Sequence, residues 1–158
     1  MGKNASIILD LKTPDGKASL ESLLKDADVF ITNVRTDGLR KLGLHYDDIK
    51  EKFPHLIFAQ CTAYGREGPD YQLPGYDIGA FWASTGLAAM IQTGGSYSTY
   101  ALAYGDTTTG ASLLGGVIAA LVQRLRTGQG AMVEASLNRV GMYCVSPYMI
   151  RGGYLIQP

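Results

Sequence analysis

Short strand-forming runs alternate with helical stretches up to Gly65, and this alternation restricts the chain to a small set of architectures. Ser6-Ile7-Ile8-Leu9-Asp10-Leu11 reads as a strand; a helical pattern follows, with Leu20, Leu23 and Leu24 apolar and Lys25 and Asp26 polar. Residues 28–32 form a second run of buried type, and residues 56–60 a third that closes just before Cys61-Thr62-Ala63. Between them lie two short helical stretches, 38–42 and 46–53, the second running into Pro54. The pattern predicts an α/β fold: a Rossmann-like parallel sheet with flanking helices.

Residues 65–74 are rich in Gly, Pro and charge, which marks a loop of the kind that borders ligands in open α/β sheets. Residues 77–91 read as one helix with Ile78, Phe81, Trp82 and Leu87 available for burial, and Gly94-Gly95-Ser96 as a turn. A longer helix is predicted from about 107 to 126. Arg124 and Arg126 suit its negative end, and the glycines of Thr127-Gly128-Gln129-Gly130 permit the reversed backbone beyond it. A strand is expected at 131–135 and a final helix at 137–150, with Pro147 set to kink or end it. The chain thus divides into a Rossmann-like portion at about 5–65, a loop at about 65–75 and a helical portion at about 76–158. Three or four strands make a small parallel sheet, so the chain reads as a piece of a larger one.

Composition removes several classes. At 158 residues and 46% hydrophobic content, the chain has material for an ordinary core. Fourteen Lys plus Arg against fourteen Asp plus Glu leave no net field to recruit nucleic acid or an anionic membrane. The longest apolar stretch, 113–122, falls short of the roughly 20 residues that cross a bilayer, so no transmembrane helix is expected. Cys61 and Cys144 are far apart, with no CxxC and no histidine pair to complete a metal site, and a reduced cytoplasmic setting is the simplest expectation. His45 and His55 read as surface or turn residues.

Chemistry centres on Gly105-Asp106-Thr107-Thr108-Thr109-Gly110, which immediately precedes the apolar helix. Asp106 there has two readings. It is a helix N-cap, worth about 1 kcal/mol through a bond to a first-turn amide. Alternatively it is a reacting carboxylate, presented where free backbone N–H groups can also hold a developing oxyanion.

The same segment, followed by Leu114-Gly115-Gly116-Val117-Ile118-Ala119-Ala120-Leu121 and Thr127-Gly128-Gln129-Gly130, resembles the class III CoA-transferases. Leu9-Asp10-Leu11-Lys12, Thr32-Asn33-Val34-Arg35, Leu42-Gly43 and Leu73-Pro74-Gly75-Tyr76-Asp77 resemble further motifs of that family in the family's order, so the resemblance runs from Leu9 to Leu137. It implies a partial copy of the family's large domain, with 76–158 as its catalytic portion. It also implies Asp106 as the nucleophile that carries first an acyl group as an anhydride and then CoA as a thioester.

Implied CoA contacts are Leu9, Lys12, Asn33, Lys41, Leu42, Tyr76 and Leu137. By residue type alone the lysines are equally solvated surface groups, Asn33 suits a turn, Tyr76 suits packing, and the three leucines suit a core. Asp77 reads first as a helix cap. Arg66 and Glu67 receive no role. The resemblance implies no tightly bound cofactor and no metal: coenzyme A thioesters and carboxylic acids are the substrates, and the partner is a second copy in an interlocked homodimer. Family members are much longer, so the chain alone is expected to turn over little. Two other functions compete. An α-methylacyl-CoA racemase would place a histidine where Gly75-Tyr76-Asp77 has tyrosine, a poor base with a usual pKa of about 10. A truncated, non-catalytic CoA-binding or interaction module would need no reactive Asp106.

Overall fold

A computed structural model describes residues 5–92, 94–96 and 102–155. Helix α1 (Pro14–Asp26) begins at Thr13, whose Oγ1 accepts the Gly16 amide at 3.1 Å, with Pro14 in the first turn where its missing N–H is no loss. Strand β1 (Val29–Thr32) leads to α2 (Thr36–Leu42), which ends at Gly43 with φ +70°, a left-handed conformation that glycine adopts without a Cβ penalty. A single turn, α3 (Tyr46–Ile49), precedes β2 (Ile57–Thr62).

The three strands run parallel in the order β1-β2-β3, where β3 is Met132–Ser136. Val29 pairs with Ile57 and Thr32 with Gln60 on one side; Phe58 pairs with Met132 and Thr62 with Ser136 on the other. Central β2 is buried on both faces, as parallel strands are. Phe58 faces a cluster of Leu24, Leu39, Leu44, Ile49 and Phe53, with the Phe30 and Tyr46 rings edge-on at 5.4 and 5.8 Å. Ile57 and Ala59 face Leu113, Val117 and Ala120 of the long helix α5 (Tyr104–Thr127), residues spaced so that one stripe meets the sheet. The Arg124 guanidinium at the far end of α5 bonds Asp28 Oδ1 at 2.7 Å and the Asp28 and His55 carbonyls at 3.3 Å, tying the helix to the starts of β1 and β2.

Several sequence expectations change here. Residues 5–10 form no strand: Ile8 is 98% exposed, and without a neighbour to pair with, β-type residues have no surface to fit. Asp10 instead makes a turn into α1, its Oδ1 accepting Lys12 N–H and its carbonyl accepting Thr13 N–H. The helix expected over 77–91 is two elements, a π-helical segment Asp77–Ala83 and a short α4 (Leu87–Met90), parted by Gly86 at φ +81°. His45, expected at the surface or in a turn, lies at the bend that opens α3, where its Nδ1 accepts the Asp47 amide at 3.4 Å, but it is buried at 2% exposure, with Arg66 Nη2 3.2 Å from its Nε2. Arg66 therefore ties the glycine and proline loop to the α2–α3 corner, and burial followed by the Arg40 and Arg66 charges holds the imidazole below its usual pKa. Pro147 does not end the last helix, α6 (Leu137–Leu155). Finally, α5 has the length and mean hydropathy of a membrane-crossing helix, contrary to expectation, although its inner stripe is packed on the sheet.

Candidate active site

Parallel sheets gather ligand-binding groups beyond the carboxyl ends of their strands. Here a cavity of about 860 Å³ opens at that edge, lined by Thr32 at the end of β1 and Asn33 just after it, Cys61 and Thr62 at the end of β2, and Leu137 after β3. Tyr71, Leu73 and Pro74 of the loop close one side, and Asp106 and Gly110 of α5 another.

Asp106 reaches the cavity because α5 starts unusually close to the π-helical segment. A Cβ at Gly105 would collide with the Phe81 side chain, so only glycine permits this approach. Phe81, Trp82 and Tyr104 pack edge-on or tilted at centroid distances of 5.4 to 6.2 Å and fix the helix start. The N-cap is Ala103, the one described non-glycine residue with a positive φ, at 58°. Asp106 is consequently not the cap that its sequence context suggests; it is the third residue of the helix. Its backbone N–H donates to Asp77 Oδ2 at 3.0 Å. Asp77 in turn does not cap its own segment but caps α5 from across the chain. One of the amides expected to hold an oxyanion is thus already engaged.

The Asp106 side chain is exposed to the cavity, and among the described residues no hydrogen bond is made to its carboxylate. Partial desolvation first, and the negative Asp77 second, push its pKa above the ordinary carboxylate value. Burial and the Asp106 charge likewise push the Cys61 thiol up, which keeps that cysteine protonated and poorly nucleophilic. A second pocket, of about 200 Å³, shares Tyr76 and Asp106 with the first and is lined also by Asp77, Ile78, Trp82, Leu102 and Ala103.

Of the residues implied by resemblance, the fold brings Asn33, Tyr76, Leu137 and Asp106 to the large cavity. Tyr76 is 86% exposed there, whereas Leu137 is buried in a cluster with Phe81 and Trp82. Leu9, Lys12, Lys41 and Leu42 do not line it: Lys12 and Lys41 are exposed, Leu9 is half-buried, and Leu42 packs against the cluster around Phe58. Sequence reasoning overlooked Arg35, the one cationic side chain lining the cavity among the described residues, whose Nη1 donates to the Gln72 carbonyl at 3.3 Å. Its signal was present in Thr32-Asn33-Val34-Arg35, since a guanidinium at a strand end suits phosphate.

A carboxylate aimed into a cleft at the sheet's carboxyl edge fits a group-transfer enzyme of the α/β class. The chain belongs to CoA-transferase family III, whose family model matches residues 2–156. It is 38% identical over 143 residues to (R)-2-hydroxy-4-methylpentanoate CoA-transferase of Clostridioides difficile, covering 90% of this chain and 36% of that protein. It is 42% identical over 139 residues to cinnamoyl-CoA:phenyllactate CoA-transferase of Clostridium sporogenes, covering 87% of this chain and 34% of that one. The chain therefore spans about a third of the length of these curated relatives. In three dimensions it is similar to Rv3272 of Mycobacterium tuberculosis, with a TM-score of 0.84 at 30% identity over 95% of this chain and 42% of the other. It is also similar to a CaiB/BaiF family protein of Brucella suis, with a TM-score of 0.83 at 27% identity over 90% of this chain and 38% of the other.

Proposed function

We propose that the protein moves CoA from an acyl-CoA to a carboxylic acid, with Asp106 as covalent carrier. The observation that supports this most is the Asp106 carboxylate itself, exposed to an 860 Å³ cavity on a helix whose start is held by Asp77 and by Phe81. An Asp106 oxygen attacks the thioester carbonyl; the C–S bond breaks, and CoA leaves as thiolate from an aspartyl-acyl anhydride. The thiolate attacks the Asp106 carbonyl carbon, releasing the donor acid and leaving an aspartyl-CoA thioester. The acceptor carboxylate displaces the thiolate to form a second anhydride. The thiolate then attacks the acceptor's acyl carbon, giving the new acyl-CoA and a free Asp106. One thioester is lost and one gained, so no external energy is needed.

A carboxylate is a modest nucleophile, and holding it against the thioester is worth several kcal/mol in such a reaction, about 7–11 at the upper end. The raised basicity of Asp106 adds to its nucleophilicity once it is ionised. Arg35 is placed to meet a CoA phosphate. The reading includes a homodimer and a cytoplasmic setting. Its test is hydroxylamine trapping: the protein at its natural length, given acyl-CoA, should yield a hydroxamate on the Asp106 peptide. The product should vanish in Asp106→Ala and persist in Asp77→Asn. Trapping that survives Asp106→Ala would remove Asp106 as carrier.

A further inference from the structure

The loop between β2 and the π-helical segment supplies Tyr71, Leu73 and Pro74 to the large cavity, and its Gln72 carbonyl accepts the Arg35 guanidinium at 3.3 Å. The cavity's wall and the aim of its described cation both depend on where this loop sits. At the front of the loop, Arg66 reaches back to the α2–α3 corner. Its Nε is buried with no partner, and among the described residues no carboxylate pairs with it. Its one hydrogen bond there runs from Nη2 to His45 Nε2, at 3.2 Å. An arginine tied to an imidazole rather than to a carboxylate is held conditionally, because the ring accepts only at a nitrogen that carries no proton.

Two donors converge on the buried ring of His45: the Asp47 amide at Nδ1, 3.4 Å away, and Arg66 at Nε2. A neutral imidazole offers them one bare nitrogen and the imidazolium offers none. A second proton therefore removes the acceptor and sets two cations face to face. The charged groups around the ring are Arg40 of α2, Asp47 and Asp48 of α3, and Arg66 of the loop. Asp47, 3.5 Å from Nδ1, and Asp48 favour the second proton, but Asp47 is shared with Lys50 at 2.9 Å. Burial and the two arginines outweigh both carboxylates.

We propose that Arg66 is a positioning residue for the cavity and that His45 is its proton-sensitive latch: the neutral ring holds residues 65–74 in place as a wall, and protonation of the ring releases them. The consequence for substrate rests on the cavity being the CoA cleft; the latch itself does not. The closed loop binds fewer protons than the open one. Closure is therefore complete above the ordinary imidazole pKa of about 6.5 and weakens as pH falls below it. An open loop loses its apolar wall and the carbonyl that aims Arg35, so the hold on CoA should weaken with it.

Hydrogen exchange in the natural-length protein, followed by mass spectrometry on the peptide that spans residues 65–74 and corrected for the intrinsic effect of pH, reads the latch directly. From about pH 7.5 to about pH 5.5 the corrected exchange should rise severalfold, with a ceiling of about tenfold set by a ring that protonates only when the loop is open. In His45→Gln, whose amide oxygen can accept from Arg66 at either pH, the loop should stay protected and the rise should vanish. In Arg66→Ala the loop should exchange fast at both pH values, with the amides of β2 as the control for folding. Wild-type exchange that ignores pH, or a rise that His45→Gln keeps, would overturn the latch. Asp106→Asn should keep the rise; its loss there would assign the proton to Asp106 and remove His45. For the positioning role, Arg66→Ala at about pH 7.5 should raise the KM for acyl-CoA severalfold while loading at saturation stays near the wild-type rate. An unchanged KM beside a loosened loop would overturn that role. Wild-type protein that loads no CoA would sink the carrier reading, and the exchange results would still decide the latch.

Discussion

Asp77 and Asp106 stand 29 residues apart in sequence, yet they share one hydrogen bond and do different work. Asp77 is buried and fixes a helix; Asp106 is exposed to the cavity and, through partial desolvation and its neighbour's charge, holds its proton more tightly than an ordinary carboxylate. Attack requires the ionised form, so the rate of CoA loading should fall as pH drops through the raised pKa of Asp106, earlier than a free carboxylate would dictate. Asp77→Asn removes one of the two causes, and the acid limb of its pH profile should move to lower pH. An unmoved limb would detach Asp77 from the titration. Both carboxylates are visible in the sequence, where a cap of its own helix is the first reading of Asp77 and one of two readings of Asp106, since local spacing cannot show a bond between distant segments. The burial of His45 escaped for the same reason: its partner Arg66 comes from a loop that sequence patterns leave unplaced.

At the scale of elements, the sheet was legible because β1, β2 and β3 are apolar runs with clear stops, and α5 because its stripe and its glycine end are strong signals. The π-helical segment was not. Ser84 N–H closes back on the Gly79 carbonyl, five residues away, in a stretch where Ala80, Phe81 and Trp82 are all buried. Consecutive buried residues defeat a 3.6-residue period, so the pattern read as an ordinary helix. That segment sets where α5 begins, which gives Gly105 its importance. Gly105→Ala would force α5 and Phe81 apart, at about 1–3 kcal/mol for the overpacked contact. Displacing Asp106 by an ångström should lower kcat about a hundredfold. Thermal unfolding and single-turnover loading, measured on the same variant, check the two effects separately. Unchanged loading would show that the close approach does not position the carboxylate.

At the scale of the molecule, the chain matches about a third of its curated relatives' length, and many of its large apolar side chains are exposed. Leu114, Ile118, Val122 and Leu125 make an outward stripe along α5, opposite the face that meets the sheet. Apolar stripes of this extent drive association, so the 158-residue chain alone should self-associate in sedimentation experiments. Ile118→Lys combined with Leu125→Glu should reduce that association; a monomeric wild-type chain would contradict the expectation. The stripe also accounts for the membrane-like hydropathy of α5, whose first turn holds Asp106 and whose last turn holds Arg124 and Arg126. The account as a whole turns on whether Asp106 exchanges oxygen with the acids that pass through the site. With an acceptor acid labelled by 18O in its carboxylate, a single turnover of the natural-length protein should leave one labelled oxygen on Asp106, and repeated turnover up to two, read by mass spectrometry of its peptide. Turnover without label on that peptide would contradict covalent carriage by Asp106.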